Sequence, residues 1–125
     1  MLSVKPATQE EAAALFERLG LRFAQDCGAL CAWENGAPCG GAAYRLESGA
    51  FTLLGLDWGE DMALCDLICR AAFNFALNRG IFTAALGEDL PFAAFVSLGY
   101  IENAGERAVD IAHLFTKCKS CGKIS

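Results

Sequence analysis

FTLLGLDWGEDMALCDLICRAAFNFALNRGIFTAAL, residues 51–86, decides the fold. Phe51 to Trp58 is an apolar run of strand length, interrupted by Gly55. A glycine inside a strand often marks a bulge or a close backbone approach. Residues 61–79 then follow a helical period. Asp66, Arg70, Asn74 and Asn78 form one narrow polar stripe, and Leu64, Leu67, Ile68, Ala71, Ala72, Phe75 and Ala76 surround it. A helix this apolar is covered on most sides. Arg79 suits the negative end of its dipole, and Gly80 closes it. Ile81 to Leu86 reads as a buried strand. Strand, long helix, strand is a crossover unit, so the two strands are expected as parallel neighbours.

Toward the N-terminus, residues 2–6 read as a short strand ended by Pro6. Thr8 and Glu11 have capping-box spacing, and Ala12, Leu15, Phe16 and Leu19 follow at helical intervals before Gly20. Leu30 to Glu34 and Cys39 to Leu46 read as strands joined at Glu34-Asn35-Gly36-Ala37, a strong hairpin signal. Ser48-Gly49 makes the next turn, so three antiparallel strands form a meander. Toward the C-terminus come a short helix, roughly Pro91 to Leu98, and two closing strands, Tyr100 to Asn103 and Ala108 to Phe115. The expected order is β-α-βββ-α-β-α-ββ. It describes an α+β domain with a mixed central sheet in three layers, residues 1–117, followed by a tail, 118–125.

The chain has 125 residues, 54% hydrophobic and 20% charged, which excludes disorder and suits one core. A net charge of -5 argues against nucleic acid or an anionic membrane surface as the partner. No apolar run approaches a bilayer span, and Met1 to Pro6 lacks the apolar stretch of a signal peptide. A cytoplasmic protein is expected. The 7 cysteines are an odd number, so reduced thiols are the simpler reading. The apolar composition suits a homodimer.

This order of elements resembles the GNAT superfamily of acyl-CoA N-acyltransferases over nearly the whole chain. Three segments carry the likeness: Trp33-Glu34-Asn35-Gly36-Ala37-Pro38-Cys39-Gly40, then Ala71-Ala72-Phe73-Asn74-Phe75-Ala76-Leu77-Asn78-Arg79-Gly80-Ile81, and then Phe95-Val96-Ser97-Leu98-Gly99-Tyr100. The resemblance implies acyl transfer from acetyl-CoA or another acyl-CoA to a small-molecule or protein amine. It also implies a bulged fourth strand that splays from the fifth, with pantetheine on the backbone at Leu54, Gly55 and Leu56. Diphosphate would lie at the start of the main helix, against Met62 and Ala63.

Two positions depart from the family pattern. Counting back from Arg79-Gly80, the two glycines of the phosphate loop fall on Ala63 and Cys65, and the cationic or amide position falls on Glu60. Glu60 and Asp61 thus stand where an anion should bind, in a degenerate phosphate loop. Asp61 also suits the N-cap of the helix, with Glu60 as a dipole partner. The tyrosine that would protonate the leaving thiolate is replaced by Phe95, which reads as core. Glu34 reads as a solvated turn carboxylate. Asp57 reads as a base, a water-holder or a residue at the helix start. The first helix, single and short, leaves the acceptor side open or covered by a partner.

The last motif is Cys118-Lys119-Ser120-Cys121-Gly122-Lys123, which resembles one zinc knuckle. Cys118 and Cys121 could hold zinc with Cys27, Cys31, Cys39, His113 or a second subunit's pair, form an oxidised pair, or remain free thiols. Cys65 and Cys69 share a helix face, a spacing that could bind metal, though buried helical cysteines usually pack. His113 alternates with Val109, Ile111 and Phe115 on one expected strand. Three functional readings follow: an N-acyltransferase, a non-catalytic binding or assembly module on the same fold, and a zinc- or redox-dependent module run by the tail.

Overall fold

A computed structural model describes residues 1–116. Its elements are β1 (Leu2–Pro6), α1 (Gln9–Arg18), β2 (Cys27–Glu34), β3 (Ala37–Glu47), β4 (Ala50–Asp57), α2 (Met62–Leu77), β5 (Thr83–Leu86), α3 (Phe92–Leu98) and β6 (Ala108–Asp110). They form one six-stranded sheet in sequential order, β1 to β6. Every pairing is antiparallel except β4 with β5, which is parallel as the crossover unit requires. The hairpin residues Asn35 and Gly36 both take positive φ, 53° and 83°, the sense that matches strand twist.

The sheet separates two cores. On one face, α1 lays Ala12, Leu15 and Phe16 on Ala29 of β2 and Ala43 of β3. Thr8 and Glu11 form the expected capping box, which fixes the start of α1. On the other face, α2 and α3 bury Ile68, Ala72, Phe73 and Phe95 against Leu30, Phe51, Leu53 and Ala84. Of the expected polar stripe of α2, Asn74 and Asn78 are exposed, and Asp66 and Arg70 are half-buried. Glycine sets how closely α2 approaches: a Cβ on Gly40 would lie 2.4 Å from the Asp57 carbonyl oxygen and 3.3 Å from Ile68 and Leu64. Among the described residues, no helix is long and apolar enough to cross a membrane.

The C-terminal end corrects the sequence reading. Tyr100 to Asn103 is not a strand, and only Ala108–Asp110 of the expected last strand pairs with β5. Residues 111–116 are helical. The cause is local: the Asp110 carboxylate accepts the His113 N–H at 3.0 Å, an N-cap contact that turns the chain out of the sheet. His113 therefore does not alternate on a strand with Val109 and Ile111.

Tyr100 instead ties α3 to α2. Its hydroxyl donates to Asp66 Oδ1 at 2.5 Å, and Arg70 Nε donates to the same oxygen at 2.9 Å. Burial, then the hydrogen bond to Asp66, pushes the Tyr100 hydroxyl far above its ordinary range.

Two outcomes are expected. Gly40→Ala should cost about 1–3 kcal/mol in urea unfolding, because backbone must move to admit one methyl. Tyr100→Phe should cost about 1–2 kcal/mol at neutral pH. Above a tyrosine's usual pKa of about 10, the unfolded chain loses that proton while the folded chain keeps it, so stability falls as pH rises. Urea midpoints at about pH 8 and pH 11 should differ less in Tyr100→Phe than in the parent.

Candidate functional site

The site begins with a mismatch of register. Ala43 pairs with Gly55, but Tyr44 pairs with Leu53, so Leu54 is an extra residue bulged out of β4. The β4–β5 ladder runs from Phe51↔Ala84 to Leu53↔Leu86 and stops there. Gly87 N–H closes it on the Leu53 carbonyl at 2.8 Å. Strand β4 continues to Asp57 against β3, opening a wedge between itself and the chain that leaves β5. The bulge expected near Gly55 is thus present, one residue earlier. A β4 edge released from β5 can pair with an extended ligand.

Side chains close the two faces of this wedge differently. Leu56 is buried in the α2-side core, while Leu54 packs half-buried on the α1 side. A Cβ on Gly55 would lie 3.0 Å from Leu21 Cδ1 and 3.3 Å from Leu19 Cδ1. The segment after α1 therefore folds back over the bulge, with Leu19, Leu21 and Phe23 joining the α1-side core. On this face the bulge is covered by the chain's own Leu19 and Leu21.

Asp57, at the end of β4, has neither a capping role nor a place at the start of α2. Arg18 holds it from the end of α1, donating to Asp57 Oδ2 from Nη2 at 2.9 Å and from Nε at 3.1 Å. Nearby on the same face, Cys31 is buried beneath α1; burial and then Glu11 push its thiol up. Glu34 is exposed, as its turn position suggested.

The mouth of α2 is a tight turn. Asp61 N–H donates to the Trp58 carbonyl at 2.9 Å, and the two residues between, Gly59 and Glu60, take positive φ of 56° and 55°. That conformation suits glycine and costs a side-chain-bearing Glu60 about 1 kcal/mol. Asp61 is the N-cap: its Oδ1 accepts Leu64 N–H at 3.1 Å. Met62 and Ala63 are exposed beside it, and Cys65 is fully buried.

Phe95 is fully buried, edge-on to Tyr100 at 5.4 Å, and has no proton to give. Tyr100 has committed its own to Asp66. Tyr44 stacks on Phe51 at 5.3 Å, and burial pushes its hydroxyl up. The buried thiols Cys65 and Cys69 hydrogen-bond one turn apart; that bond, then burial, pushes Cys69 far up. Cys27, Cys31, Cys39, Cys65 and Cys69 are all free. Among the described residues, no group of three or more histidine, cysteine or acidic side chains could hold a metal. Cys118 and Cys121 lie outside the described residues. A groove of about 480 Å³ at the β5–β6 end shares no residue with the wedge, and two of the acids lining it are engaged: Glu106 accepts from the Glu102 and Asn103 N–H groups, and Asp110 caps His113.

The sequence matches no protein-family model and no curated protein. Solved structures do match. The ribosomal-protein-S18-alanine N-acetyltransferase of Escherichia coli superposes with a TM-score of 0.62 at 13% identity, over 79% of this chain and 77% of that one. A GNAT family acetyltransferase from Brucella melitensis, solved with acetyl-CoA, gives 0.54 at 15% identity, over 81% of this chain and 83% of that one. The IAA acetyltransferase of Bacillus cereus gives 0.56 at 12% identity, over 69% of this chain and 65% of that one. The chain therefore has the GNAT acyl-CoA N-acyltransferase fold, as its order of elements implied.

Asp61→Ala should lower stability by about 1 kcal/mol, and Asp61→Ser should retain most of it, because a hydroxyl can still accept the Leu64 N–H. Chemical denaturation of the two variants checks this.

Proposed function

We propose that the chain is a GNAT-type N-acyltransferase domain that takes an acyl thioester along the open edge of β4 and passes its acyl group to an amine. One observation carries this reading: the bulge at Leu54 ends the β4–β5 pairing at Leu53 and frees the strand edge. In the transfer, the amine lone pair attacks the thioester carbonyl and forms the C–N bond. The C–S bond breaks, the amine gives up a proton and the thiolate gains one. The chain's part is positioning and polarisation. An amide N–H in the Leu54, Gly55, Leu56 stretch would face the carbonyl oxygen where charge develops. Asp57, held by Arg18, would orient the neutral amine by accepting a hydrogen bond from its N–H. Leu19 and Leu21 would keep water from the bulge. The five free described thiols suit a reducing, cytoplasmic setting.

The two ends of an acyl-CoA meet this chain differently. The strand edge past Leu53 would pair with the amides of a pantetheine arm. The mouth of α2, at Met62 and Ala63, fits a diphosphate poorly, because Asp61 already occupies a helix amide and Glu60 adds a second negative charge.

A second reading, a non-catalytic module that binds a partner or a second copy, is favoured by that occupied mouth and by Phe95, which leaves the thiolate without an acid. Isothermal titration with S-acetyl-pantetheine tests the first. Saturable binding in the range of about 1 mM or tighter is expected. Absence of heat at that concentration removes the acyl-thioester reading altogether. Binding without thiol release above background, across a panel of primary amines, assigns the chain to the second.

A further inference from the structure

Resting on the acyl-thioester reading, we infer that the donor this chain accepts is a pantetheine-type thioester without a nucleotide diphosphate. The wedge at β4 and the mouth of α2 are two separate places, and the chain has kept only the first in a form that receives a ligand. Four observations at the mouth point the same way. Asp61 Oδ1 accepts Leu64 N–H, so one free donor of the first turn is already satisfied from within the chain. Asp61 N–H is spent on the Trp58 carbonyl. Glu60, between them, has the left-handed conformation that a glycine would hold without strain, and its side chain brings a second carboxylate. The first helical residues, Met62, Ala63, Leu64 and Cys65, supply no cation, and Arg18, which reaches the end of β4, is bound to Asp57.

A diphosphate brought to that mouth meets negative charge and finds the Leu64 and Asp61 amides already taken. Its attraction to the remaining helix dipole is offset by repulsion, so it adds no affinity. An uncharged arm meets none of this. Its amides can pair with the released β4 edge, and its thioester reaches the bulge. The chemistry recognised is therefore an extended amide-bearing thioester, whether free or presented on a phosphorylated arm, with no nucleotide anchor.

Titration of the whole protein with three donors tests this: S-acetyl-pantetheine, S-acetyl-phosphopantetheine and acetyl-CoA. All three are expected to bind within about threefold of one another, with the unphosphorylated arm at least as tight as the others. Raising salt from about 50 mM to about 500 mM should leave acetyl-CoA binding unchanged or tighten it, because screening weakens like-charge repulsion. A double variant, Glu60→Gly with Asp61→Ser, keeps a capping oxygen and removes both charges. It should gain about tenfold for acetyl-CoA and nothing for S-acetyl-pantetheine. Acetyl-CoA or the phosphorylated arm binding at least about tenfold more tightly than S-acetyl-pantetheine, and weakening with salt, would overturn the inference and leave the acyltransferase reading standing. A double variant that folds but gains nothing for acetyl-CoA would overturn it as well. If none of the three donors binds, the acyltransferase reading falls and takes this inference with it.

Discussion

Strand β4 carries one residue more than β3 can match, and the wedge follows from that surplus. A strand in mid-sheet must satisfy two neighbours with one backbone. When Leu54 is extruded between Leu53 and Gly55, the pairing to β3 resumes one residue out of step. The pairing to β5 cannot resume, because β5 ends at Leu86 and Gly87 turns away after closing on Leu53. A slot between two strands of one sheet therefore arises without any cavity in the core. It is held by the same hydrogen bonds that hold the sheet.

The second constraint is at the start of α2. Any helix leaves donors exposed at its first turn, and these can be satisfied by the chain or by a bound anion. Here the chain does it, through Asp61. The cap stabilises α2 directly and disfavours a phosphate in the same place. A cap and an anion would draw on the same first-turn amides, and here Asp61 holds the Leu64 N–H. The long apolar helix gains from this arrangement, since α2 anchors the larger core through Ile68, Ala72 and Phe73.

Much of this was legible before any coordinates. The capping box at Thr8 and Glu11, the Asn35-Gly36 turn and the polar stripe of α2 are local signals, set by residues within a turn or two of each other. The parallel crossover also followed, because a strand, a long helix and a strand have few ways to pack. Asp61 as the cap was likewise readable from its place before an apolar helical run. The last strand failed for an instructive reason. Ala108 to Phe115 is apolar enough for either period, and the choice fell to one contact, the Asp110 cap on His113, which halts the strand at Asp110. Short apolar runs do not distinguish helix from strand by pattern alone.

What the amino-acid order determined by itself was the sequence of elements through α3, the bulge-prone glycine in β4 and the negative charge at the start of α2. These depend on backbone preference and on neighbours close along the chain. What only the tertiary structure decided was which distant groups meet. Arg18 reaches Asp57, Tyr100 reaches Asp66, and Leu19 and Leu21 fold over Gly55. No local pattern encodes these contacts, because each joins residues more than thirty positions apart whose approach is set by how α1, α2 and α3 pack on the sheet. The shape of the wedge, and its cover by Leu19 and Leu21, belong to that packing.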